Sequence, residues 1–382
     1  MTPAGRLVAA ITRLGLTAVL GLLLAEALVS WLAPQPLLVI EPGLYEADPP
    51  GRYRLSPGYR GSMTNRVEYD HEITIDERGL RTSGEGTGDH SVMVLGDSFA
   101  FGMGVTGAET FAALLGDEPE FEGLNGGLPG TGVPDMVDWY ARHGRALEPD
   151  TVLLTVFTGN DLTDARPDRE AIRIRDGLVV PSDTPMGPRA WLHRHLDVVR
   201  LAKSATASPA LAGVRDALGM GEPWMVRNLR WEFSTYAVDP PVELVEAEAA
   251  TGRALARLAA MCAEDGTRLV AALIPARLQI DAAAWEASLA QVGLDPVAHD
   301  PRHPARLFRR LLEGHGIPVL DLSPAFAAAL GGDRRLYFEK DRHWTPAGHE
   351  LAARELAGFL REVAGGDELR PYDAEAPGGT AL

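Results

Sequence analysis

A serine at 98, a histidine at 343 and an aspartate at 341 are the side-chain types of a nucleophile, its general base and the acid that orients the base. Serine attacks poorly until a neighbouring base takes its proton, and histidine titrates in a suitable range for that task. Asp341 lies two residues before His343, close enough along a loop to reach the Nδ1 edge. The negative oxygen of a tetrahedral intermediate needs fixed donors. The backbone N–H groups of Ser98 and Gly130 and the side-chain amide of Asn160 are the candidates. Each of these residues sits in a short polar-and-glycine cluster: Gly96-Asp97-Ser98, Asn125 to Gly130, Gly159-Asn160-Asp161, and Asp341 to Pro346.

Each cluster alone has a blander explanation. GDS is a common turn. The 125–130 cluster resembles a fragment of a dinucleotide fingerprint, but it has the wrong spacing and a proline inside. Asn160-Asp161 could merely cap a helix. A single histidine is more often structural, and His349 reads that way. The conjunction of four clusters carries the chemistry.

The elements between the clusters explain how they would meet. Val92–Leu95, Phe121–Leu124, Thr151–Thr158, Arg268–Ile274 and Pro318–Leu322 read as short buried strands. Helical stretches fall around Thr110–Leu115, Pro134–His143, Val242–Asp265, Ala305–Glu313 and Ala347–Val363. Strand and helix alternate, which predicts an α/β fold with a mostly parallel central sheet covered on both faces. Open parallel sheets bind ligands at the carboxyl ends of their strands, and three clusters follow strands there. The fourth immediately precedes the final helix.

Outside this rhythm, residues 162–245 read as an insertion over one end of the sheet. Its Trp191, Trp224, Trp231 and Tyr236 read as a small core of its own rather than as a sugar platform. Pro34 to Arg60 reads as a linker, Val67–Leu80 as one or two short strands, and residues 364–382 as a flexible tail. This divides the chain into an N-terminal segment (1–33), a linker and short β region (34–90), a main domain (91–363) and the tail.

Leu14 to Ala33 is mostly apolar and about the length of a bilayer core. Arg6 and Arg13 precede it, and Glu41, Glu46 and Asp48 follow, which predicts a cytoplasmic N-terminus and a domain on the far side. Glu26 is costly inside a span. A cleaved signal peptide with Ala25-Glu26-Ala27 at its end is the competing expectation. The net charge of −17 argues against a nucleic-acid partner. The single cysteine, Cys262, excludes an intrachain disulfide framework. No metal-ligand spacing is present, and no cofactor is expected.

GDSF at 96–99, N-x-x-x-x-G at 125–130, GND at 159–161 and D-x-H-W-x-P at 341–346 resemble, in order, the four sequence blocks of the SGNH/GDSL hydrolase superfamily. The resemblance covers roughly residues 91–363. It implies a flavodoxin-like three-layer α/β/α sandwich and no cofactor. Ser98 would be the nucleophile, His343 the base and Asp341 its orienting acid. Ser98, Gly130 and Asn160 would form the oxyanion hole. Many members read D-x-x-H in the last block, where this chain has Lys340. Its D-x-H-W is similar to the branch of alginate-type polysaccharide O-acetyltransferases, whose block order differs. The implied substrate is a small ester or an acylated carbohydrate of the cell envelope. A catalytically silent carbohydrate-binding or assembly protein, and a lipase or thioesterase, are the alternatives.

Overall fold

The computed structural model describes residues 2–48, 52–82, 88–166, 172–175, 178–181, 187–206 and 224–365, with positions 208, 211, 213 and 217 between them. The expected flexible tail therefore lies, but for its first two residues, outside the described residues.

Two small β layers come first. β1 (Val39–Ile40), β4 (Arg60–Thr64) and β5 (Asp70–Thr74) form an antiparallel sheet in the order β1-β4-β5, and β2 (Tyr45–Asp48) pairs with β3 (Arg52–Leu55). The segment expected as a linker is thus mostly folded. Leu44, Tyr45, Tyr53, Leu55 and Met63 are buried in the same apolar cluster as the central sheet. Its prolines and glycines punctuate strands of two to five residues, too short for their alternation to stand out from loop composition.

The central sheet contains β6 (His90–Gly96), β7 (Phe121–Gly127), β8 (Thr151–Phe157), β11 (Arg268–Ile274) and β12 (Val319–Asp321), all parallel, in the order β12-β11-β8-β6-β7. Counted within the sheet, that is the flavodoxin-like order 2-1-3-4-5, whose switch point lies between the first and third strands. Here these are β6 and β8. Alternate residues face opposite layers. Met93 and Leu95 pack with the helices Val133–Trp139, Val242–Asp265 and His303–Gly314, whereas Val92 and Val94 pack with Phe111–Gly116, Ser323–Ala329 and Pro346–Ala364. Three layers result, as expected. β9 (Ile172–Arg175) and β10 (Leu178–Pro181) form a hairpin within the insertion. The expected core of the insertion's own does not form from those four residues: Tyr236, with Phe233, packs on Trp285 of the main domain at ring distances of 5.2 and 5.3 Å, and Trp231 lies half-buried against the central core. Trp191 is instead exposed, and the side chain of Trp224 lies outside the described residues.

The first helix, α1 (Pro3–Leu32), buries none of its residues and is long and apolar enough to cross a membrane. Near its end, Glu26 accepts the backbone N–H groups of Asp197 (2.8 Å) and Val198 (2.9 Å), which begin the insertion helix Asp197–Thr206. Ser30 donates to Asp197 at 2.7 Å, and Arg200 and Arg66 pair with the same carboxylate. The carboxylate that looked costly is spent on a helix N-terminus.

Gly127 shows how closely the layers meet. A Cβ there would lie 2.1 Å from the Phe101 nitrogen and 2.5 Å from the Ala100 carbonyl carbon. Gly127→Ala should therefore destabilise the fold by about 1–3 kcal/mol through overpacking. A lower urea midpoint at unchanged slope would register this; an unchanged midpoint would contradict it.

Candidate active site

β6 brings Ser98, the candidate nucleophile, to the sheet's carboxyl edge, where its apolar run stops. Asp97 ends it, accepts the N–H of Phe99 at 2.9 Å, and starts the short helix Ser98–Phe101. Gly102 closes that turn with φ +84°, a left-handed conformation that glycine adopts without a Cβ penalty. Beneath it lies Arg81, 1% exposed, whose guanidinium donates to the carbonyls of Phe101 (2.6 Å), Gly102 (2.6 Å) and Val105 (2.5 Å). Burial lowers its pKa to about 9, which leaves it charged at neutral pH.

His343 Nε2 lies 2.8 Å from Ser98 Oγ, and His343 Nδ1 bonds the Asp341 carboxylate. With Nδ1–H donated to that carboxylate, Nε2 is left as acceptor for the serine hydroxyl. The other possible acceptor, Asp97 Oδ2, is 3.4 Å from Ser98 Oγ, so the shorter histidine contact takes the proton. Burial pushes the Asp97 carboxyl above the usual range, despite the bond from Phe99. Arg342, between acid and base, has φ +74°. This left-handed turn lets two side chains only two residues apart meet edge to edge, which accounts for D-x-H in place of D-x-x-H. Lys340, at the alternative position, is exposed. Phe99 packs 4.8 Å from the His343 ring, and the buried Trp344 stacks on Phe326 at 4.7 Å to seat the loop.

Asp341 is held from its far side. Tyr69, just before β5, donates to Oδ2 at 2.7 Å. Glu68 accepts the backbone N–H groups of Glu339, Lys340 and Asp341 at 2.7, 2.9 and 2.9 Å, and Asn65 donates to it at 3.0 Å. Burial by itself would raise the Asp341 carboxyl. The bond and charge of His343 and the bond from Tyr69 more than offset that, so it lies below the usual range.

The donor candidates stand on neighbouring strand ends. Gly130 follows β7 with φ +75°, and Tyr53 donates to the carbonyls of Pro129 (2.6 Å) and Gly130 (3.1 Å). Asn160 follows β8; its Nδ2 donates to Asp164 at 3.2 Å, and its side chain makes no cap bond to the following helix. Asp161, the first residue of that helix, reaches back to the end of β8 and accepts the Phe157 N–H at 2.8 Å. His349 is buried; its Nδ1 accepts the Phe111 N–H at 3.2 Å, and burial lowers its pKa to about 3, so it is the structural histidine expected. Among the described residues no cluster of His, Cys, Asp and Glu could hold a metal ion.

Residues 229–378 match the family model described as an SGNH hydrolase-like domain, acetyltransferase AlgX. That stretch carries the histidine block, and the sheet brings the three earlier blocks to it. Over that stretch the chain is similar to an SGNH hydrolase-like domain. No curated protein sequence matches it. Solved structures similar to it include an acetyl xylan esterase, AlAXEase, at 13% identity, covering 71% of this chain and 99% of that one with a TM-score of 0.37. A lipase/acylhydrolase from Enterococcus faecalis matches at 15% identity over 72% and 96%, TM-score 0.36. A mutant of Axe2, an acetyl-xylooligosaccharide esterase from Geobacillus Stearmophilus, matches at 15% over 75% and 98%, TM-score 0.38. Around this candidate site, the sequence reading missed Tyr53, Glu68, Tyr69 and Arg81. All four come from the N-terminal β layers, and only contact across the fold reveals them.

The depressed Asp341 carboxyl has a consequence for stability. Its folded pKa lies below the unfolded value of about 3.9, so its stabilisation is complete above that value. It is lost as pH falls through the folded value. The gap in unfolding midpoint between wild type and Asp341→Asn should be widest near neutrality and close below about pH 4. A pH series of denaturant titrations measures it, and a gap constant with pH would contradict the assignment.

Proposed function

We propose that this protein is a membrane-anchored, extracytoplasmic SGNH-type serine esterase or O-acyltransferase that acts on acetyl esters of envelope carbohydrate. The observation that carries this reading is the hydrogen-bonded line Asp341–His343–Ser98 at the sheet's switch point. In the first half-reaction Ser98 Oγ attacks the ester carbonyl while His343 Nε2 takes its proton. The C–O bond to the leaving alcohol then breaks, and His343 returns the proton to that alcohol. An acyl-serine remains. In the second half, water or a sugar hydroxyl repeats the steps in reverse and frees Ser98. Asp341 holds the imidazole in its productive tautomer and offsets the charge it gains.

Oxyanion stabilisation falls to the N–H groups of Ser98 and Gly130 and to the amide of Asn160. Asp164 holds one hydrogen of that amide, which fixes the direction of the other. The acetyl assignment is supported by the family description, an SGNH hydrolase-like domain of an acetyltransferase. The retained anchor is favoured over a cleaved signal by Glu26. Cleavage after Ala27 would remove the carboxylate that caps residues 197 and 198.

Ser98→Ala and His343→Ala should each lower hydrolysis of p-nitrophenyl acetate by about 10⁴-fold or more, and Asn160→Ala by about 10²–10³-fold. A fluorophosphonate probe should label wild type and leave Ser98→Ala unlabelled. An unlabelled wild type would favour a silent, binding-only protein. For the anchor, intact mass of the membrane-extracted chain should retain residues 1–27; a mature mass lacking them would overturn it.

A further inference from the structure

The geometry points to Tyr69 and Glu68 as positioning residues for the base, a clamp that the N-terminal β layers close on the Asp341 loop; the inference rests on the proposed Ser98–His343–Asp341 reading. Two independent sets of bonds define the clamp. Tyr69 Oη donates to Asp341 Oδ2 at 2.7 Å, on the opposite oxygen from the one that meets His343. Glu68 accepts three successive backbone N–H groups, of residues 339, 340 and 341, at 2.7–2.9 Å. Together they fix both the carboxylate and the backbone that carries it.

The two residues are themselves held. Asn65 Oδ1 accepts the N–H groups of Val67, Glu68 and Tyr69 at 3.0, 2.7 and 3.3 Å, which coils the turn before β5 so that both side chains face the loop. The Tyr69 ring packs 5.3 Å from Phe338, in the strand-like stretch whose N–H bonds the carbonyl of His343 at 2.8 Å. Burial first, and then the Asp341 charge, raise the Tyr69 hydroxyl well above its ordinary value, so it remains a donor over the working pH range.

A donor on Oδ2 spreads the carboxylate's charge. Without it, the carboxylate would grip the imidazolium more tightly, and the neutral imidazole needed for catalysis would appear only at higher pH. The clamp thus tunes the base as well as aligning it.

The test uses the full chain in detergent and the pH dependence of kcat/KM for p-nitrophenyl acetate, with Ser98→Ala as control. Tyr69→Phe should move the acid limb upward by about half a pH unit or more and lower the plateau about 10-fold, at a melting temperature near that of wild type. Glu68→Gln, which places an amide N–H against the Asp341 N–H, should lower the plateau at least as much by lowering kcat at nearly constant KM. A Tyr69→Phe profile superimposed on wild type, or one reduced in height with its acid limb unmoved, would overturn the clamp while Ser98→Ala is inactive. If Tyr69→Phe does not fold, unchanged kcat in Glu68→Gln would overturn it equally. Full activity in Ser98→Ala would overturn the triad, and the clamp with it.

Discussion

A guanidinium at 1% exposure cannot go unsatisfied, and Arg81 meets that demand with the carbonyls of Phe101, Gly102 and Val105. Those carbonyls belong to the turn that leaves the helix Ser98–Phe101, where the Gly102 carbonyl also accepts the Val105 N–H at 3.3 Å. Its planar fork spans them, and its face lies 4.4 Å from the Phe101 ring. The conformation that presents Ser98 is therefore built jointly by the β6 turn and a side chain from outside the central sheet. Removing that side chain would take from the Phe101, Gly102 and Val105 carbonyls the one donor group they share, and Gly102 would keep only the bond from the Val105 N–H.

The same arrangement recurs around the rim. Tyr53 holds the Pro129–Gly130 peptides, Arg81 the Ser98 turn, and Tyr69 with Glu68 the Asp341–His343 loop. All four residues lie in or beside the short strands between 39 and 82. A parallel sheet can bring strand ends to one edge, but it leaves the loops beyond that edge unsupported. Here the N-terminal layers supply the support, one polar side chain or pair under each of three loops. β8 and its Asn160 are held differently, by Asp161 and Asp164 within the same short helix.

Long apolar runs were the most legible part of the sequence. TVLLTVFT and RLVAALI read as buried strands, and the helix at 242–265 followed from Ala and Leu at helical spacing. Ser98, His343 and Asp341 could be picked out because each stands where a run breaks. The clamp could not: Tyr69 and Asp341 are 272 residues apart, and a tyrosine in an alternating stretch reads as one more strand residue. Residues 34–60 were misread because β1, β2 and β3 are two to four residues long, below the length at which alternation separates a strand from a polar loop. Nor does D-x-H spacing by itself reveal that acid and base touch. That depends on the left-handed backbone of Arg342, which no residue preference announces.

The bonds from Glu26 and Ser30 to the start of the helix at 197 change what kind of attachment α1 provides. A domain joined to its helix only by residues 33–38 would swivel, and its open edge would sweep over every heading. A strut bolted one turn apart in its last two turns does not swivel. Its pitch and azimuth are set by the junction and not by the covalent link, so the rim that carries Ser98 keeps one bearing relative to the helix axis. A ligand of that rim would then have to arrive from a fixed direction relative to the helix, and reach becomes a criterion of selection alongside chemical fit.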